Sequence, residues 1–243
     1  GKVIAGVAAG GSFGDFAVLY RMNAQSNQLE FAFKRSGIPY RVIGGTKFFD
    51  RAEIKDMLAY LSVISNPGDD LRLVRIVNQP ARGIGGTTLE RVQTIAAETG
   101  RPVFDVMENA GNFEELMRSA GKLAQFTNLI HSLREISQNE PLDVLYEEIL
   151  DKTGYVRALE EKQTDENLTR IENIREFKTN IISYMRENPE GTLASFLDEI
   201  SLYTDLEQLG GGECVAMMTM HSAKGLEFPT VFIVGAEEGI FPG

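Results

Sequence analysis

Eight residues near the C-terminal end, HSAKGLEF (221–228), bring together the groups needed to hold an anion. His221, Ser222 and Lys224 supply hydrogen-bond donors, and Gly225 permits a close backbone approach. Glu227 offers an acceptor suited to a sugar hydroxyl. The stretch joins two apolar runs, CVAMMTM and TVFIVG, that read as buried strands. A turn leaving a strand of an open α/β sheet is where ligands collect. An ordinary polar connection uses the same residue types. The phosphate loop that would accompany a nucleotide site, G-x-x-x-x-G-K-[ST], occurs nowhere in the 243 residues.

A second candidate is RGIGGTT (82–88). Gly83, Gly85 and Gly86 leave backbone N–H groups free to point outward, and a helix is expected to start at once at Thr87 or Thr88. Its unpaired amides and positive dipole end favour a phosphate. This is the physics of a helix-hairpin-helix, which grips duplex DNA without reading its sequence. Arg82, Ile84, Thr87 and Thr88 are the side chains at that turn. A glycine-rich corner between two helices with no ligand is the alternative.

Charge limits where an anionic partner can sit. The formal net charge is −11. Residues 41–101 hold nine Lys and Arg against seven Asp and Glu, whereas residues 102–213 hold ten against twenty-three. Nucleic acid should therefore meet the first of these segments or the flanks, and the acidic half reads as a solvated helical surface. No apolar run approaches the roughly 18 residues of a membrane span. The single cysteine, Cys214, excludes an internal disulfide, and a reducing, cytoplasmic setting is expected. Two histidines and one cysteine, at 131, 221 and 214, lack metal-ligand spacing, so no metal site is expected.

The elements that must position these groups follow from periodicity. FAVLY (16–20) reads as a strand, residues 24–36 as a helix ended by Gly37, and IPYRVI (38–43) as a second strand. Strand–helix–strand in so few residues marks a parallel sheet. From Gly44-Gly45 the period is helical for about 160 residues. FFDRAEIKD (48–56) reads as the root of that block: Phe48 and Phe49 anchor it, and Asp50 caps a helix with Glu53 as capping-box partner. Asp69 or Asp70 opens the next helix, and Pro102 begins a short one. A long helix carries Phe113 to Leu133, another spans residues 166–186, and Thr192 caps the last. GGG (210–212) reads as a joint before the strands return.

FAVLYRMNAQS (16–26), GGTKFFDRAEIKDMLAYLSVISNPGDD (44–70), RGIGGTT and MTMHSAKGLEFPTVFIVGAEEGIFP (218–242) occur in this order. Together they resemble superfamily 1 DNA helicases of the UvrD/PcrA/Rep type, from about residue 15 onward. The resemblance implies a fold of class α/β plus all-α: a partial RecA-like parallel sheet interrupted by a large helical accessory insertion. The expected division is residues 1–43 and 213–243 for the RecA-like part and 44–212 for the insertion. Residues 1–14 depart from the group's usual lead-in. The resemblance also implies roles. Tyr20 would stack on adenine, Arg21 would reach the γ-phosphate of ATP bound with Mg2+, and Glu227 would hold the ribose. His221, Ser222 and Lys224 would face single-stranded DNA, and the 82–88 turn would hold the duplex at a junction.

The group's phosphate loop, its metal-binding Asp-Glu pair and its last Arg motif do not occur in these residues. The expectation is a fragment of an ATP-dependent 3′-to-5′ helicase of DNA repair or replication that binds no cofactor tightly and hydrolyses no ATP by itself. Its partners would be DNA, the missing first RecA-like domain, and repair or transcription proteins, with no membrane. The competing expectation is an interaction or autoinhibitory module, of a helicase or helicase–nuclease, using the acidic face of residues 102–213.

Overall fold

The computed structural model describes residues 1–205 and 213–235. The joint expected at 210–212 and the last residues of the GAEEGIFP stretch lie outside them. Four parallel strands form one sheet: β1 (Phe16–Tyr20), β2 (Tyr40–Val42), β3 (Val215–Thr219) and β4 (Thr230–Ile233). Their order is β2-β3-β1-β4. The strand–helix–strand unit read from sequence is present, but its two strands are not neighbours. β3 returns from far along the chain and takes the place between them, with Tyr20 opposite Thr219 and Tyr40 opposite Val215.

The period-2 alternation of the strands fixes two unequal faces. Phe16, Val18, Tyr20, Val215 and Met217 pack beneath α1 (Lys2–Ala8) and α2 (Ser26–Arg35), with Val3 and Leu29 among the covering residues. The opposite face carries Ala17, Ala216 and Met218, covered by Ala223 and Phe228 from the chain after β3. α1 places the first residues of the chain on the sheet, and Val3 is 7% exposed.

Among the described residues between β2 and β3 lie nine α-helices: α3 (Ala52–Ser65), α4 (Asp70–Ile76), α5 (Gly86–Thr99), α6 (Val103–Glu108), α7 (Ala120–Asn139), α8 (Leu142–Thr153), α9 (Tyr155–Glu160), α10 (Asp165–Glu187) and α11 (Leu193–Asp205). They enclose a core of their own, distinct from the two sheet cores. Phe177 of α10 sits at its centre, fully buried, with ring centroids of Tyr146, Phe196, Phe49 and Phe48 at 5.5, 6.2, 6.4 and 6.5 Å. Phe48 and Phe49 do anchor the root of the block, at 0% and 4% exposure.

Several local readings hold in detail. Asp69 caps α4 by accepting from the Arg72 amide at 3.1 Å, and Thr192 caps α11 through the Ser195 amide at 3.2 Å. The Asp50–Glu53 capping box does not form. Arg51 is the N-cap of α3 and has no side-chain cap bond. Asp50 instead takes Lys55 Nζ at 2.9 Å, and Glu53 is turned inward to accept from Asn173 Nδ2 at 2.6 Å. A long-range partner outbids the local cap because Glu53 is 5% exposed and needs a buried donor. Phe113 and Leu116 precede α7 in 3₁₀ turns rather than belonging to it. No described helix is long and apolar enough to cross a membrane.

Truncating Phe177 to Ala leaves a cavity where four rings converge, and such losses cost about 3–5 kcal/mol. Urea unfolding of Phe177→Ala should show that drop with the sheet's own chemistry untouched. A change below about 1 kcal/mol would mean the block is loosely packed.

Candidate functional site

In a parallel sheet every strand exits on the same edge, and here that edge gathers the loops that follow β1, β2 and β3. The Met220 amide donates to the Tyr20 carbonyl at 2.9 Å, and the Val234 amide to the Leu19 carbonyl at 2.9 Å. The exits of β1, β3 and β4 are therefore locked side by side. Residues about 200 apart in sequence, Arg21 and His221, follow neighbouring strand ends.

The turn after β3 is built by Thr219. Its Oγ1 accepts from the Ser222 amide at 3.2 Å and lies 2.9 Å from Ser222 Oγ. The Ala223 amide closes the turn on the Thr219 carbonyl at 3.1 Å. Ser222 is thus half-buried and engaged, while His221, Lys224 and Glu227 stand exposed. Gly44, leaving β2 with φ of +71°, packs against the turn; a Cβ there would lie 2.7 Å from Ser222 Oγ. The β2 exit therefore supports the His221–Lys224 turn by a contact that only glycine permits.

Arg21 is exposed on the same edge. Its amide and that of Met22 both donate to Gln25 Oε1 at 3.0 Å, so Gln25 shapes the β1 exit. Tyr20 is placed differently from expectation. It points to the α2 face and is 1% exposed, so no ring face is open to stack on a base. Its place in the β1 alternation, after Phe16 and Val18, dictates this inward direction. Burial, and then the nearby Glu30, push its pKa up to about 12, so its phenol stays protonated.

Glu30 itself is fully buried beneath the edge. Its carboxyl lies 2.7 Å from Ser26 Oγ, and it accepts from Tyr40 OH at 3.1 Å and from the Phe48 amide at 3.0 Å. Desolvation raises its pKa above the usual 4.5, opposed by the Ser26 and Phe48 hydrogen bonds.

The 82–88 turn forms, with α5 starting at Gly86 and no side-chain cap on its first turn. Arg82 and Ile84 do not face outward as expected. Arg82 Nη1 donates to the Ile76 carbonyl at 3.0 Å, Nη2 to Tyr60 OH at 2.7 Å, and the guanidinium lies over the Phe126 ring at 5.4 Å. Arg82 thus closes the C-terminal end of α4, where a cation is favoured by the helix dipole. Ile84 is a core residue at 3% exposure. Asn78, which the sequence did not single out, holds both: its Oδ1 accepts from the Arg82 amide at 2.7 Å and the Ile84 amide at 3.3 Å. Gly83, Gly85, Gly86 and Thr87 remain exposed, and Thr88 Oγ1 lies 3.2 Å from Ser119 Oγ. Lys122 Nζ donates to the Gly83 carbonyl at 2.9 Å. With Arg118 and Arg91 also exposed, part of the positive charge beside the turn comes from the otherwise acidic half.

Residues 2–243 match the protein family described as UvrD-like helicase C-terminal domain. The chain belongs to that family. It is similar to the ATP-dependent DNA helicase PcrA of Bacillus subtilis (strain 168), 41% identical over 235 residues, which cover 94% of this chain and 32% of that protein. The PcrA of Staphylococcus aureus (strain Mu50 / ATCC 700699) is 43% identical over 237 residues, covering 96% and 32% respectively. The chain spans about a third of the length of these relatives. The match from residue 2 takes in α1, which packs on the sheet.

A carboxyl whose pKa is raised by folding stabilises the fold below its unfolded value, and that contribution is lost as pH rises through the folded value. Wild type should therefore lose melting temperature relative to Glu30→Gln as pH is raised from about 4.5 toward 8. Gln keeps the acceptor for Ser26 and Phe48, so the variant should fold. Parallel melting curves across this range would contradict the buried-carboxyl account.

Proposed function

We propose that the chain is the DNA-contacting portion of an ATP-dependent 3′-to-5′ DNA helicase acting in repair or replication. What carries the reading is the shared sheet edge, on which the β1 exit bearing Arg21 lies beside the β3 exit bearing His221 and Lys224. Lys224 and His221 face the backbone of a single strand, Lys as a point charge toward phosphate. Arg21, exposed one residue past β1, is the group for a γ-phosphate, where a guanidinium stabilises transferring charge. Glu227, exposed beyond the same turn, serves a ribose hydroxyl. Tyr20 supports the sheet end rather than the base.

The residues present fit one side of a nucleotide site: an exposed Arg and Glu at strand exits, without a glycine-rich phosphate loop. ATP with Mg2+ would supply the free energy of phosphate cleavage, held chiefly by a first RecA-like domain outside this chain. Here Arg21 holds and orients, and the strand contact sits on the neighbouring β3 exit. The exposed amides of Gly85, Gly86 and Thr87, with Arg118 and Lys122 beside them, suit the backbone of duplex DNA ahead of the strand. A module that binds protein through its acidic helices is the competing reading, supported by the charge of residues 102–213.

Binding of a fluorescent duplex–single-strand junction, followed across salt concentrations, separates the two. Lys224→Ala should weaken binding and reduce the log–log salt slope by about 0.7, the share of one single-strand phosphate contact. The Gly83→Ala, Gly85→Ala pair strains a φ of +68° and should weaken the junction while sparing an isolated single strand. Binding that ignores both changes, or is absent, would favour protein contacts. With single-stranded DNA present, the chain alone should release no phosphate from ATP above blank, and clear turnover would refute the division of the site between two domains.

A further inference from the structure

A buried side chain hydrogen-bonds the loop that carries Arg21 to the helical block. Arg51, 9% exposed, lies at the root of α3 and reaches three parts of the molecule. Its Nη2 donates to the Asn23 carbonyl at 3.0 Å and to Ser26 Oγ at 2.9 Å, both beyond β1. Its Nε donates to the Thr46 carbonyl at 3.3 Å, beyond β2. Its Nη1 donates to Asn173 Oδ1 at 2.7 Å, on α10. Asn173 is 2% exposed and passes the link back to α3 through Glu53 Oε1.

Beside this network Asn27 of α2 and Asn180 of α10 exchange amide hydrogen bonds at 2.5 and 2.9 Å. The junction is thus polar, buried and directional. Apolar contacts tolerate sliding, whereas a planar guanidinium with fixed donors specifies one arrangement. Gln25 shapes the turn from within, and Arg51 grips it from the helical side at the Asn23 carbonyl.

We propose that Arg51 is a positioning residue that holds the Arg21–Gln25 turn in register with α10, so that a shift of either is felt by the other. Its functional meaning rests on the reading above: an event at the phosphate-facing turn reaches the helices that contact duplex, and the duplex reaches the turn. Asn173 is the partner on the helical side, and it touches neither DNA-facing turn.

Amide hydrogen exchange on the 243-residue chain, with no ligand, tests the link. Asn173→Ala removes the α10 partner without altering the turn. Exchange at the amides of residues 21–26 should rise about tenfold, the scale of one hydrogen bond to a charged group. The sheet amides of Val18 and Ala216 should not change. Arg51→Lys should loosen the same amides, and adding Asn173→Ala to it should do nothing further. Unchanged rates at residues 21–26, an equal rise in the sheet, or additive effects would each overturn the proposal. Because no nucleotide or DNA is present, failure here leaves the DNA reading standing, and failure of the junction titration leaves the exchange result standing.

Discussion

The backbone pairing of β3 between β1 and β2 is the constraint on which the molecule depends. Until β3 docks, β1 and β2 share no hydrogen bond and the α2 face has no complete sheet to cover. The helices between β2 and β3 must therefore fold into a unit whose ends lie one strand apart. That requirement explains why the block has its own core and why its root, Phe48–Asp50, is packed against α10 rather than left as a tether. Once β3 is in place, the parallel direction of all four strands puts every exit on one edge, and the chemistry follows.

Beneath that edge the protein uses charge where hydrophobic packing would be easier. Glu30, Arg51, Asn27, Asn173 and Asn180 are all buried, and each has hydrogen-bond partners. Buried polar groups of this kind contribute little net stability, since desolvation offsets most of the attraction. What they specify is geometry. An apolar seam between sheet and helices could settle in several registers, whereas this network is satisfied in one.

Much of the architecture was legible because it is local. Gly37 marks a helix end through left-handed backbone, Asp69 and Thr192 cap, and the two apolar flanks of HSAKGLEF form strands. What could not be read depends on distant partners. Arg82 looked like a phosphate ligand beside three glycines, yet Tyr60 and the α4 carbonyls claim it. Tyr20 looked like a stacking platform, yet strand parity turns it inward. Arg51 drew no functional reading because its partners stand at 23, 26, 46 and 173. Lys122 and Arg118 join the hairpin from a segment whose average charge is strongly negative.

The central claim is that the strand-exit edge, rather than the helical surface alone, meets a DNA strand. Photo-crosslinking of an oligothymidine carrying a reactive base to the intact chain, read by peptide mass spectrometry, addresses it directly. The account predicts crosslinks in the peptide containing His221–Lys224, lost when Lys224 and His221 are both replaced by Ala. Crosslinks confined to the helices between residues 52 and 205, or unaffected by that double change, would contradict it.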